Sequence, residues 1–196
     1  MWFRLILPVL LTGLLAPDAA AQQASPPDRE GQVEQAVLAA PESMRAGATV
    51  LGHGGEARTA DPLSLLREGT NDLICLADDF RAEGFHVACY HRSLDDFMAL
   101  GRRLRAEGKG RSEIMDVRYA ALEAGIFSMP ARATLYSISS DTGQDDLDGA
   151  RRLVVVYVPG ATVEDLGLPS RPEGDTPWLM LPGTPWAHIM IGPAGR

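Results

Sequence analysis

The sequence predicts a single α+β domain: a largely antiparallel sheet with two or three helices and one disulfide, behind a removable export signal. Three observations carry this. Helical periodicity is concentrated before residue 125, and strand-like segments cluster after residue 133. That order favours helices set beside an antiparallel sheet over alternating βαβ units. Only two cysteines, Cys75 and Cys89, occur in the chain.

The chain opens with one positive charge, Arg4, followed by an apolar run over residues 5–15, Pro17 and the small residues Ala19, Ala20 and Ala21. The run is shorter than the ~20 residues a spanning helix needs. It reads as a signal peptide, residues 1–21, cut after Ala21. Later apolar runs are shorter still, so no transmembrane segment is expected in the mature chain. Residues 22–30, polar and holding Pro26 and Pro27, read as a flexible leader. Residues 31–196 read as one globular domain.

Within that domain, Val33, Ala36, Val37 and Ala40 recur at helical spacing and Pro41 ends the pattern, predicting a helix over 31–40. Residues 48–51 read as a strand broken by His53-Gly54-Gly55. Asp61-Pro62 starts a turn, Leu63, Leu65 and Leu66 read as core, and Gly69-Thr70-Asn71 forms a second turn. Short strands over 72–76 and 85–90 follow, each with one cysteine. An oxidising compartment pairs them into a disulfide that closes a loop of about 15 residues and stabilises the fold by roughly 3 kcal/mol. Their spacing is unlike the Cys-x-x-Cys of thiol oxidoreductases.

Ser93 reads as the N-cap of a helix over 93–106 carrying Leu94, Phe97, Met98, Gly101 and Leu104 on one face. Ser112 reads as the cap of a second helix with Ile114, Val117 and Ala121 on a face and Gly125 at its end. Residues 133–139 alternate as a strand. Residues 153–158 form a β-branched run suited to a strand buried on both faces. Residues 178–181 and 188–191 read as two more strands joined by the turn residues Pro182-Gly183-Thr184-Pro185.

The run Arg67-Glu68-Gly69-Thr70-Asn71, the two cysteines and the tail Gly183-Thr184-Pro185-Trp186-Ala187-His188-Ile189-Met190 resemble a group of exported bacterial proteins of unknown function over residues 31–192. The resemblance implies a signal peptide and a shared fold, and carries no activity, cofactor or catalytic residue.

Charge narrows the partners. The net charge is −8 with a pI near 5.0. Loss of residues 1–21 removes one base, Arg4, and one acid, Asp18, so the mature chain keeps −8. Such a surface repels phosphate backbones and anionic membranes, which argues against nucleic-acid partners.

Four features of the sequence bear on chemistry. His86, Cys89 and His91 include a pair on one strand face, Cys89 and His91, but a metal needs three or four ligands and a reduced cysteine, so no metal site is read here. His188, two residues after Trp186, is the weak catalytic candidate: a general base would need a carboxylate within ~2.6–3.2 Å. The acids Asp78, Asp79, Asp95, Asp96, Asp145, Asp146 and Asp148 read as solvated loop residues. No Gly-x-Ser-x-Gly elbow, Ser-x-x-Lys, His-Glu-x-x-His or phosphate loop is present, and Gly52-His53-Gly54-Gly55 lacks the following Lys. The pattern points to a periplasmic or secreted domain that binds a small molecule or an envelope protein without catalysis or cofactor. Trp178, Trp186 and His188 are its weak binding candidates. The alternative is an enzyme of unrecognised type built on His188 and a nearby carboxylate.

Overall fold

The computed structural model describes residues 26–192 except 56, 59–60 and 144–146. The expected signal peptide, Asp145 and Asp146 therefore lie outside the described residues. The elements in chain order are α1 (Arg29–Ala36), continued by a 3-10 turn (Val37–Ala39); α2 (Glu42–Arg45); β1 (Thr49–Gly52); β2 (Ser64–Arg67); β3 (Leu73–Leu76); β4 (Phe85–His91); α3 (Asp95–Ala106), entered through a 3-10 turn (Arg92–Leu94); α4 (Arg111–Glu123); β5 (Ala133–Ser140); β6 (Arg151–Tyr157); α5 (Val163–Leu166); β7 (Trp178–Met180); and β8 (His188–Ile191). The eight strands form one sheet in the order β2-β1-β3-β4-β5-β6-β8-β7. Every pairing is antiparallel except β1 with β3. The α+β class, the mostly antiparallel sheet and the disulfide are those the sequence predicts.

Strand alternation divides the core into two sides. On one, Val50, Leu73, Cys75 and Cys89 pack under α1 and its 3-10 extension with Ala36, Ala40 and Leu66. Phe85, Val87 and Ile138 continue that side beneath Leu38 and Ala39. On the other, Leu51, Ile74, Tyr90, Val155 and Tyr157 pack against Leu94 and Phe97, with Met115 and Tyr119 of α4 alongside. Helices thus cover both faces. Cys75 and Cys89 sit directly opposite in the β3–β4 ladder and are joined by the disulfide, with both residues fully buried.

The Arg67–Asn71 motif acts as a structural clamp. The Arg67 guanidinium donates to the carbonyls of Ala48 and Arg45, at 2.9 and 2.7 Å from Nη2. Asn71 donates from Nδ2 to Met44 O at 2.7 Å and accepts from Leu73 N at 3.0 Å, tying α2 to the start of β3. Gly69 lies so close to β1 that a Cβ there would stand 2.2 Å from Thr49 N, so only glycine fits.

Several local expectations change. The first helix starts at Arg29 rather than residue 31, because Asp28 caps it by accepting from Gly31 N, and the Arg29 guanidinium donates to Leu66 O. Residues 29 and 30 of the expected leader therefore belong to the folded domain. Ser93 does not cap α3: it sits inside the 3-10 turn, and its amide donates to the His91 ring. Gly110, not Ser112, precedes α4, with Glu113 reaching back to the Gly110 amide at 3.2 Å. Val117, expected on the buried face with Ile114 and Ala121, is 39% exposed while those two are 6% and 5%. The strand β2 and the short helices α2 and α5 are additional elements.

Candidate functional site

The sequence candidates Trp186 and His188 meet on the face covered by α3 and α4. The turn before them is held by Thr184, whose hydroxyl donates to Leu181 O at 2.8 Å and accepts from Trp186 N at 3.2 Å. This drops the Trp186 ring, 8% exposed, onto Phe97 of α3 at 4.6 Å between centroids and near a right angle. Tyr119 of α4 flanks the indole at 5.5 Å. Phe97 also meets Tyr157 at 6.0 Å, and Tyr157 meets the His188 ring at 5.3 Å. Trp178, likewise 8% exposed, lies on β7 opposite Met190 and outside this group of rings.

His188 is buried, and its Nδ1 donates to Trp186 O at 2.7 Å. A carbonyl only accepts, so Nδ1 carries the proton in the neutral ring. Burial pulls its pKa below the ordinary value, with the Trp186 carbonyl opposing the shift. No carboxylate is among its described hydrogen-bond partners. Burial likewise pushes the Tyr157 phenol up to about 12, against the pull of the Arg118 charge.

The centre of this arrangement is a residue the sequence reading passed over. Arg118 of α4 stands four residues after Ile114 and three before Ala121, within the inward stripe of the helix. Its guanidinium carbon lies 4.1 Å from the Phe97 centroid and 5.4 Å from that of Trp186. It rests on Gly101 of α3, where a Cβ would come within 1.8 Å of Nη2, so the glycine makes room for it. Nε is buried and without a hydrogen-bond partner. No described residue forms an ion pair with Arg118. Desolvation pushes its pKa down to about 10, so it stays cationic at neutral pH. Ring stacking contributes about 0.5–2 kcal/mol per contact, against a desolvation cost of up to several kcal/mol for a buried ion. The rings therefore offset that cost only in part.

On the facing helix the opposite solution is seen. Arg102 of α3 is 10% exposed in its side chain and grips the Asp61 carboxylate, 3% exposed, through Nη2 at 2.6 Å and Nε at 3.2 Å. Its Nη1 donates to the Tyr90 hydroxyl at 2.8 Å, and that hydroxyl donates to Asp95 Oδ1 at 2.8 Å. Arg58 closes the ring with bonds to Asp61 at 3.0 Å and Asp95 at 2.8 Å. Two cations and two anions balance. Asp95, expected as a solvated loop acid, is thus the first residue of α3, where its charge also suits the helix N-terminus. Burial raises its pKa, but the hydrogen bonds from Arg58 and Tyr90 outweigh that and hold it below the usual carboxylate range. Such a closed network locks the loop before β2 to β4 and α3.

The remaining candidates are dispersed. Gln32, 3% exposed, clamps the Gly52–Gly55 loop by accepting from His53 N at 2.8 Å and donating to Pro27 O at 2.9 Å. His86 is exposed, and Asp78 accepts from its amide at 2.8 Å. Open grooves are present among the described residues. One, of about 270 Å³, runs between Pro41, Arg45, Tyr136, Ile138 and Val154. Another, of about 380 Å³, lies between α3 and α4 over Leu100, Arg103, Val117 and Phe127. Trp178, Trp186, His188 and Arg118 line neither. Among the described residues no three His, Cys, Asp or Glu side chains converge as a metal site, and no helix is long and apolar enough to cross a membrane.

Comparison of the chain with protein-family models, with curated proteins and with solved structures gives no match.

Proposed function

We propose that the chain is a non-catalytic binding domain of the bacterial envelope, periplasmic or secreted, and that its ligand is a small molecule received beside Trp186. The amino-terminal export pattern and the disulfide support the location. The observation that carries the binding reading is the Arg118 guanidinium held between Phe97, Trp186 and Gly101, its buried Nε without an acceptor among the described residues. Folding alone gains little from such a group, whereas a ligand that takes its hydrogen bonds gains much. A protein partner is the second occupant compatible with the sequence; it has no specific observation in its favour. The His188 enzyme alternative lacks a described carboxylate beside the ring to support it.

The test is a small-molecule screen read by tryptophan fluorescence. After loss of residues 1–21 the chain keeps only Trp178 and Trp186. In a Trp178→Phe background the signal reports on Trp186 alone. Saturable shifts with members of the screen support the reading. A screen in which nothing binds, with the protein folded, removes it.

A further inference from the structure

We propose that Arg118 is an oxyanion-recognition group, and that the ligand is a small organic acid: a carboxylate or phosphate monoester on an apolar body. This rests on the binding-domain reading and names the ligand class for the same site.

Arg102 and Arg118, both half-buried, lie on the same helix-covered side, and their contrast makes the case. Arg102 spends its donors on Asp61 and Tyr90, with Asp95 beside them. Arg118 has a buried Nε without a partner and no ion pair among the described residues. Its own helix offers no acid at the neighbouring positions, which are Ile114, Met115, Ala121 and Leu122. The facing helix offers Gly101, which presents backbone where a side chain would intrude. On α3 the positive charge of Arg105 also acts on Arg118, while Arg102 is balanced within its own network, and the Tyr157 phenol faces Arg118 from β6.

A guanidinium is planar with donors in a fork, which matches carboxylate and phosphate oxygens two at a time. Phe97 and Trp186, 2% and 8% exposed, are packed on each other, and half-buried Tyr119 beside Trp186 is the aromatic face left for an apolar body. An inorganic ion alone would leave that face unused.

The experiment titrates the exported Trp178→Phe protein with benzoate, phenyl phosphate and benzyl alcohol, at ionic strength held constant with sodium chloride. The expected result is a saturable change in Trp186 fluorescence with benzoate, phenyl phosphate or both, and none with benzyl alcohol. A response to one anion identifies whether the oxyanion is carboxylate or phosphate. Arg118→Met should weaken the response at least tenfold, and Arg118→Lys should restore part of it as a charge without the fork. Should Arg118→Met fail to fold, Gly101→Ala provides the second variant. It favours the helix but forces the guanidinium aside, so the response should weaken while the circular dichroism and melting temperature hold. Equal binding of benzyl alcohol, or anion binding unchanged in both variants, overturns the oxyanion assignment. If neither anion binds while another compound shifts Trp186, the assignment falls and the binding-domain reading stands. If no compound binds, both fall.

Discussion

Replacing Asp61 by Asn tests the buried ion network most directly. The change keeps shape and removes one charge from a site where the Asp61 side chain is 3% exposed and its partner Arg102 10%. The Asn oxygen can still accept from Leu63 N, at 3.0 Å in the native protein. Arg102 keeps Asp95 at 3.3 Å, but Asp95 already neutralises Arg58 at 2.8 Å. One buried positive charge is left uncompensated, which costs about 3–5 kcal/mol. With an unfolding entropy of about 2.1 cal/mol/K per residue, a domain of this length has on the order of 0.35 kcal/mol/K, so Tm should fall by roughly 9–14 °C. Scanning calorimetry at pH 7 reads this. Asp72→Asn breaks the Arg92 pair, exposed at 53% and 64%, and serves as a control that should leave stability within about 0.5 kcal/mol. The double variant Asp61→Asn, Arg102→Met removes both charges and should be more stable than Asp61→Asn alone. A Tm loss below about 3 °C in the single variant, or a double variant as unstable as the sum of the singles, refutes the account.

Three further outcomes follow from the same geometry. Tyr90→Phe deletes a hydroxyl that donates to Asp95 and accepts from Arg102, each at 2.8 Å; leaving those groups short should cost about 1–3 kcal/mol in urea unfolding, with the slope unchanged. His188 has a folded pKa below its ordinary 6.5, so the unfolded chain binds the proton more readily. The stability this protects is whole above the unfolded pKa and is lost as pH falls below it; the urea midpoint should therefore drop more between pH 7.5 and 5.5 in the native protein than in His188→Gln, and parallel curves would contradict this. The disulfide spans 14 positions and both cysteines are 0% exposed, so replacing both by Ala should lower Tm by roughly 8 °C, from about 3 kcal/mol of loop entropy. Dithiothreitol should leave the bond intact until the domain unfolds, and immediate reduction of the folded protein would count against that burial.

The fold was legible wherever an element had length and period. The strand β4, the helices α3 and α4, and the tail pair β7–β8 announce themselves through runs of apolar spacing and turn residues. Edges and short elements were not. The strand β2 has four residues, a single partner, and Pro62 just before it, too little alternation to separate it from loop. The four-residue α5 depends on Thr162 and Asp165 bonding each other's amides, a capping box followed by no apolar run. At the site, Trp186 and His188 were visible as residue types, but their surroundings were not. Pattern reading assigns the inside of a helix to its apolar residues, so it chose Val117 and skipped Arg118. The network was hidden for another reason: Asp61, Tyr90, Asp95 and Arg102 lie on three separate elements, and no local spacing links them.

The strand order has a consequence for how the fold assembles as the chain is made, amino end first. From β4 to β6 each strand finds its partner in the one that preceded it, so the growing sheet can add them on arrival. The cysteine pair and the Arg102 network are complete by residue 102. The strand β7 breaks that order, since its ladder forms only with β8, which emerges later and must dock on β6. Trp186 lies just ahead of β8 and seats on Phe97 with it. The aromatic wall beside Arg118 is thus the last part to close. Until the final strand arrives, Phe97 and the apolar edge of β6 stand open, and a chain halted short of it is stapled and half folded but lacks the indole that packs beside Arg118.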